Sequence, residues 1–237
     1  PDPDEYGRAL RDALLGIDAT LLLEPGRVLV VTPGNVALQV ALATPRSGKL
    51  ANIEVKTPDV LATEQYKRDA EIGTYDLVVY DQCAPAVMPR ANTLFFGRLP
   101  PGDLWRGGDA GAKKNGADSK AGTADKADKE EAAADKPQMA AGPQIIDWDR
   151  SHPLLANVEL GNVDIADSIV LRPPQGATLL IDSTAGPLAA VAPRDAYQDA
   201  VVGFELVGHA ADGSTTVNTN WPRRLSFPTF CLNVLEY

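Results

Sequence analysis

Residues 27–35, Arg-Val-Leu-Val-Val-Thr-Pro-Gly-Asn, decide the fold class of this chain. A short, uninterrupted apolar run closed by Pro33 and Gly34 is typical of a strand that is buried on both faces of a parallel sheet. Asn35 is a good N-cap, and the apolar residues after it continue at helical spacing as far as Leu42. This stretch therefore predicts a strand that leads directly into a helix.

The alternation of strand and helix continues on both sides of this stretch. The patterns predict strands at 52–57, 75–80 and 93–97 and a polar helix at 63–72. Such alternation favours right-handed crossovers and a parallel sheet. Ahead of the first strand, residues 4–15 predict a helix with one apolar face, formed by Tyr6, Ala9, Leu10, Ala13 and Leu14.

The second half of the chain has a different pattern. Short apolar runs separated by Pro, Gly and Asp predict strands joined by tight turns at 163–165, 169–171, 178–181, 188–191 and 200–206. The chain then closes with a helix, for which Ser226 is the predicted N-cap and Pro228 lies in the first turn. Its apolar face is formed by Phe227, Phe230, Cys231, Val234 and Leu235. The predicted fold class is α/β, with an open and mainly parallel sheet.

Residues 108–142 interrupt this pattern. The segment is rich in Ala, Lys, Asp and Gly and contains no Val, Ile, Leu or aromatic residue. Such a composition buries too little apolar surface to offset its conformational entropy, so we expect a disordered insertion. It could be an interaction arm or a tolerated surface insertion. The rest of the chain is expected to form one domain across 1–237.

Composition and charge limit the classes of function. The 237 residues are 44% hydrophobic and carry a net charge of −10, which argues against non-specific binding to nucleic acid or anionic membranes. No apolar run approaches the ~18 residues that span a bilayer. Two cysteines, 148 positions apart, form by their number neither a disulfide framework nor a zinc site. We expect no metal and no cofactor, and we interpret the chain as a piece of a longer protein.

Ligands of open α/β sheets bind outside the carboxyl ends of the strands. The loops after the predicted parallel strands should therefore form any binding site. The candidate ligand-binding residues in these loops are Gly34, Asn35, Asp81, Gln82 and Gly97.

Cys83 is the candidate nucleophile, because a thiol at a strand end can be activated by nearby backbone amides. Its base would be His152 or His209. Cys83 lacks the flanking glycines of a strained nucleophile turn, so an inert, partly buried thiol is the alternative. Solvated turns are likewise the alternatives for the two histidines, and Cys231 is expected in the core without a disulfide to Cys83.

Other motifs of known chemistry are missing. The sequence has no phosphate-binding loop, no G-x-S-x-G and no H-E-x-x-H. Asp147, Asp149 and Ser151 have the spacing that begins a calcium loop, but His152 and Val158 stand where that loop needs Gly and Glu.

Several segments together resemble the class I glutamine amidotransferase-like superfamily. They are 27–34, 75–81 (Tyr-Asp-Leu-Val-Val-Tyr-Asp), 151–155 (Ser-His-Pro-Leu-Leu), 200–206 (Ala-Val-Val-Gly-Phe-Glu-Leu) and 220–237, which begins Asn-Trp-Pro and ends Leu-Glu-Tyr. More narrowly, they resemble the amidotransferase-like domain of bacterial membrane proteins that also carry an aerotolerance-regulator N-terminal region and a von Willebrand A domain. The resemblance implies a flavodoxin-like three-layer sandwich with added C-terminal strands and a closing helix.

The catalytic residues of active amidotransferases do not carry over to this sequence. Asp81-Gln82-Cys83 stands where the resemblance places a Gly-rich oxyanion loop. Gly97-Arg98 stands where it places the Gly-x-Cys-x-Gly nucleophile turn, and His209 is followed by two alanines instead of completing a His-x-Glu pair. Cys83 is thus in the wrong loop for the family mechanism.

These observations favour a non-catalytic amidotransferase-like domain that binds a ligand or serves as a scaffold in a larger, membrane-tethered envelope protein. The expected partners are other domains of the same larger chain, or a separate protein. The alternative is a thiol-dependent hydrolase or amidotransferase that uses Cys83.

Overall fold

The stretch that decides the fold class forms the predicted strand and helix. Strand β1 (Gly26–Val31) leads into helix α1 (Val36–Leu42), and Asn35 Oδ1 accepts a hydrogen bond from Leu38 N at 3.2 Å. These elements belong to a computed structural model that describes residues 24–102, 104–105, 137–209 and 214–237. The predicted helix at 4–15 and most of the predicted insertion lie outside the described residues.

The first half continues with alternating elements, close to the predicted bounds. They are α2 (Ser47–Leu50), β2 (Ala51–Lys56), a 3-10 helix (Pro58–Ala62), α3 (Glu64–Ile72), β3 (Leu77–Asp81) and β4 (Asn92–Phe96). Thr63 accepts a hydrogen bond from Tyr66 N and so caps α3, and Gly73 ends that helix in a left-handed conformation.

The second half is built mainly of strands. They are β5 (Met139–Ala141), β6 (Ile145–Trp148), β7 (Asp167–Ile169), β8 (Thr178–Ser183), β9 (Gly186–Arg194), β10 (Tyr197–Val202), β11 (Val207–His209) and β12 (Thr215–Val217). Two further 3-10 helices, Pro153–Leu155 and Trp221–Arg223, precede the closing helix α4 (Ser226–Glu236).

Eight strands form one mixed sheet in the order β2-β1-β3-β4-β10-β9-β8-β6. Neighbouring strands from β2 to β10 are parallel, and the pairs from β10 to β6 are antiparallel. The predicted α/β class with a mainly parallel sheet and added C-terminal strands is confirmed.

Helices cover both faces of the sheet, as the period-2 alternation of strand side chains requires. Val28 and Val30 of β1 face the core that includes α1 and α4, whereas Leu29 and Val31 face the core that includes α3. The architecture is a flavodoxin-like three-layer sandwich.

Several sequence predictions in the second half are wrong in detail. Residues 163–165 form no strand, because Ile165 makes only an isolated bridge to Thr219. Ser226 does not cap α4: it is the first helical residue, and its Oγ accepts a hydrogen bond from Trp221 Nε1 at 3.2 Å. The strand predicted at 200–206 ends at Val202.

The last residues of the predicted insertion are part of the fold. Strand β5 pairs in antiparallel register with β7, from Met139–Ile169 to Ala141–Asp167. The prediction of disorder is therefore wrong for 139–141, because backbone pairing orders residues whose side chains bury little surface. Among the described helices, none is long and apolar enough to cross a membrane.

Candidate functional site

The carboxyl ends of the parallel strands place the predicted loops side by side. Because β1, β3, β4 and β10 are neighbours, the loops that begin at Thr32, Gln82, Gly97 and Gly203 follow one another along this edge. This edge is where open α/β sheets bind ligands. The sequence prediction of which loops form it agrees with the topology.

A buried hydrogen bond between the side chains of Thr32 and Asp81 joins the first two of these loops. Thr32 Oγ1 donates to Asp81 Oδ2 at 2.7 Å and accepts from Asn35 N at 3.0 Å. All three side chains are buried, and Asp81 is completely inaccessible to solvent. Of the predicted binding residues, Asn35 and Asp81 thus have clear structural roles, while Gly34 lies beside them with an exposed backbone.

Gln82 adopts a left-handed backbone conformation, with φ of 58°. Its N–H donates to Phe96 O at 3.0 Å, and its carbonyl accepts from Arg98 Nε at 3.3 Å. Gln82 Nε2 and Asn35 Nδ2 are buried and have no hydrogen-bond partner among the described residues. A buried donor without an acceptor costs about 1–3 kcal/mol, so these amides are not optimised for stability alone.

Cys83 is half-buried, and its Sγ donates to Val31 O at 3.6 Å. Burial, and secondarily the nearby Asp81 carboxylate, raises the pKa of Cys83 to about 12. Because the thiolate is the reactive form, a thiol with this pKa is a poor nucleophile at neutral pH. Burial raises the pKa of Cys231 to about 12 as well, and that residue lies in the core as predicted.

The structure does not bring His152 to Cys83. His152 Nδ1 accepts from Leu154 N, and its ring packs against Tyr237 at 5.3 Å between ring centroids. Tyr237 OH in turn donates to Gln198 Oε1, near the amino end of β10, at 2.5 Å. His152 is therefore at the opposite edge of the parallel strands from Cys83. His209 ends β11, and its side chain lies outside what the structure describes.

A cavity of about 390 Å³ opens at the carboxyl ends of β4 and β10. Of the five predicted binding residues, only Gly97 lines it. Arg98 follows β4, in a loop that the sequence assigned to this edge, and contributes one polar side chain to the cavity wall. The other polar side chains come from the second half of the chain: Asp167, Ser168, Glu205, Thr216 and Asn218. The sequence did not indicate these other residues, because they are far apart along the chain and form no local motif.

Asn218 holds the wall of this cavity together. Its Oδ1 accepts from Asp167 N at 3.1 Å, and its Nδ2 donates to Asp167 O at 3.0 Å and to Glu205 O at 2.8 Å. One amide thus joins β7 to the loop that follows β10. The backbones of Asp167 and Glu205, which both line the cavity, are thereby held together.

Gly97 occupies the position where the family resemblance implies the nucleophile turn. Its φ of +65° gives the chain a sharp left-handed turn at the end of β4. A Cβ atom built there would collide with Glu205 Cγ and lie 3.1 Å from Glu205 N. The space of a side chain at this position is therefore filled by Glu205.

The described residues contain no group of three or more His, Cys, Asp or Glu side chains that could hold a metal ion. At this edge, Arg98, Asp167 and Glu205 offer charge and hydrogen bonds to a ligand.

No protein-family model matches the sequence, and no curated protein matches it. Solved structures do resemble it. A cytoplasmic protein of Salmonella typhimurium LT2 matches with a TM-score of 0.54 and 12% sequence identity. A second cytoplasmic protein of Salmonella typhimurium matches with a TM-score of 0.53 and 10% sequence identity. Each match covers 89% of this chain and 98% of the other chain. A GMP synthase subunit from Thermoplasma acidophilum has a TM-score of 0.42 at 12% identity, and that match covers 90% of this chain and 98% of the other.

The likenesses to the two Salmonella proteins support the fold alone, since their identities are low. Together with the strand order, they define an α/β protein with a flavodoxin-like sandwich.

Proposed function

We propose that this chain is a non-catalytic, amidotransferase-like domain that binds a small polar ligand or a partner segment at the carboxyl edge of its parallel strands. The observation that carries this proposal is the turn that follows β4, Gly97-Arg98-Leu99-Pro100, which has no thiol or hydroxyl. The family resemblance places the nucleophile of an amidotransferase within this turn, and Glu205 occupies the space beside Gly97, its first residue.

The properties of Cys83 support the same conclusion. Its thiol is hydrogen-bonded to Val31 O, its pKa is raised to about 12, and His152 lies at the other edge of the sheet. No described observation favours the alternative function, a thiol-dependent hydrolase. A hydrolase would need a thiolate and a base within about 3 Å of each other.

The cavity beside Gly97 supports a binding role. Its volume of about 390 Å³ is in the range of small-molecule sites, and Arg98, Asp167 and Glu205 supply charge of both signs. A ligand with hydrogen-bonding groups suits this wall better than an apolar one, because the carboxylates must stay solvated or hydrogen-bonded.

The proposal includes a place in a larger, membrane-tethered envelope protein, with other domains of the same chain as partners. Its support is the family resemblance. Sequencing the natural gene on both sides of this segment tests the membrane-tethered context. We expect hydrophobic segments and a von Willebrand A domain in the flanking sequence. Their absence would refute this context.

An activity assay tests the non-catalytic role. Ammonia release from glutamine should be the same for the protein as for its Cys83→Ala variant, at the background rate. Release that the substitution abolishes would establish catalysis by Cys83 and refute the proposal. Binding is tested by screening a fragment library by amide chemical shifts, where hits should shift Gly97, Gly203 and Gly208.

A further inference from the structure

Strand β2 forms one edge of the eight-stranded sheet. Within the described part of the chain it pairs only with β1, so its other side is open. Lys56 O accepts a hydrogen bond from Thr32 N at 3.0 Å, so the backbone of Lys56 points towards β1. Because successive residues of a strand direct their backbone groups to opposite sides, Ile53 and Val55 present theirs at the open side. We call this open side the β2 edge, and its N–H and C=O groups are a template for another strand.

The side chains of the β2 edge differ between the two faces of the sheet. Ile53 packs on the core that includes α1 and α4, and Val55 lies on the same face, where it is 42% exposed. The opposite face carries Glu54 and Lys56, whose side chains are half-exposed and form an ion pair of 2.8 Å. The edge thus combines one exposed apolar side chain with two adjacent opposite charges.

These two charges select the alignment in which two copies of β2 can pair. In an antiparallel pair about a two-fold axis, an axis at Glu54 or at Lys56 sets that charge opposite itself, which is destabilising. Of the axes within β2, only one at Val55 sets Glu54 opposite the partner's Lys56 and Lys56 opposite the partner's Glu54. These are non-hydrogen-bonded positions, where side chains across the strands are closest.

The backbone fits the same alignment. An axis at Val55 joins Val55 to the partner's Val55 by two hydrogen bonds, because both residues present their backbone groups at the β2 edge. It also sets Ile53 opposite the partner's Thr57, whose backbone is still extended, with φ of −80° and ψ of 160°. Residues 53–57 of the two copies can therefore pair along their whole length.

We propose that two copies of this chain associate through their β2 edges, antiparallel and with the two-fold axis at Val55. The contact is closed and symmetric, so it produces a dimer and no longer polymer. This self-association goes beyond the proposed ligand binding and does not depend on it, since the cavity beside Gly97 lies at β4 and β10.

The other charges near the edge are compatible with this dimer. Lys49 precedes β2 and Asp59 follows it. Antiparallel pairing brings the start of one strand to the end of the other, so these two come together as opposite charges. Arg27 lies on the face of the Glu54–Lys56 ion pair, but one strand further from the edge. The net charge of −10 on each copy opposes association, and physiological salt screens it beyond about 8 Å.

Sedimentation velocity of the full chain, over a concentration series at about 0.15 M salt, tests the proposal. We expect a monomer–dimer equilibrium in the micromolar range, because a single strand pair is a small interface. Glu54→Lys and Lys56→Glu each set like charges opposite one another at both symmetric contacts, and each should weaken the dimer about tenfold or more. Lys67→Glu on α3 is the matched control, since it makes the same charge change and also breaks an exposed ion pair. It should change the dissociation constant less than about twofold.

A mixture of the two single variants separates the contact between copies from the ion pair within each chain. In a dimer of one Glu54→Lys chain and one Lys56→Glu chain, opposite charges again face each other across the axis, while the ion pair within each chain stays broken. The mixture should therefore recover the dimer. The proposal is overturned if the unchanged chain stays monomeric up to about 100 µM, well above the expected range. It is also overturned if neither variant weakens the dimer more than Lys67→Glu does, or if the mixture stays monomeric.

Discussion

Glu205 stands in the place of a side chain at position 97. A Cβ atom there would collide with Glu205 Cγ, and Gly97 has a φ of +65° that favours glycine. The end of β4 thus has a sharp turn in which position 97 has no room for a side chain.

Gly97→Ala should destabilise the protein by about 2–4 kcal/mol, because backbone strain of about 1–3 kcal/mol is joined by the clash with Glu205. Gly142→Ala is the matched control, since Gly142 has nearly the same φ, +58°, and nothing within 4 Å of its would-be Cβ. Gly142→Ala should lose only the free energy of unfolding that corresponds to the backbone strain. Urea unfolding measures the free energy of unfolding of both variants. Equal losses in the two variants would show that Glu205 does not restrict position 97.

The buried ion pair between Arg194 and Asp199 should matter far more than an exposed one. Asp199 is 1% exposed, accepts from Arg194 Nε at 3.0 and 2.9 Å, and accepts from Thr93 Oγ1 at 2.7 Å. Asp199→Asn leaves the guanidinium without its counter-charge and should cost about 3–5 kcal/mol.

The exposed pair of Arg46 with Glu236 provides the comparison, at 2.7 Å and with side chains 67% and 41% exposed. Glu236→Gln should cost less than about 1 kcal/mol. Comparable losses of unfolding free energy for the two variants would contradict this ranking.

His152 should make the stability depend on pH near neutrality. Burial lowers the pKa of His152 below its ordinary 6.5, although Asp149 opposes the shift. Between the folded and unfolded pKa values the unfolded chain binds more protons, so stability rises with pH there and is lost as pH falls below 6.5.

His152→Asn keeps an acceptor for Leu154 N and removes the titration. Chemical denaturation measures the free energy of unfolding at pH 7.5 and at pH 5.5. The difference between the two values should be smaller for this variant than for the unchanged protein, because the variant lacks the titration of His152. The same pH dependence in both proteins would mean that His152 is not linked to folding.

Local patterns predicted the first half of the fold well. The run before Pro33 and the N-cap Asn35 are nearly independent of the rest of the chain, so β1 and α1 could be predicted from a few residues. Ser226 shows the limit of such reasoning. Its hydroxyl bonds to the buried Trp221 instead of capping α4, and no local pattern reveals that tertiary contact.

The candidate site was predictable only in part. Topology alone brings the ends of neighbouring strands together, so Gly97 could be assigned to the binding edge from the sequence. Asn218 could not, because it reaches the cavity through hydrogen bonds to Asp167 and Glu205, which are 51 and 13 residues away along the chain. Pairing over such separations depends on how strands fold back, which periodicity does not encode.

The central claim is that Cys83 is not an activated nucleophile, and the pH dependence of its alkylation in the folded protein tests this claim most directly. The rate, followed by mass spectrometry with Cys231 as internal reference, should keep rising through pH 9 without a plateau, because the pKa of Cys83 is about 12. A rate at Cys83 that reaches its plateau well below the ordinary thiol pKa of about 8.5 would reveal a stabilised thiolate and contradict the account.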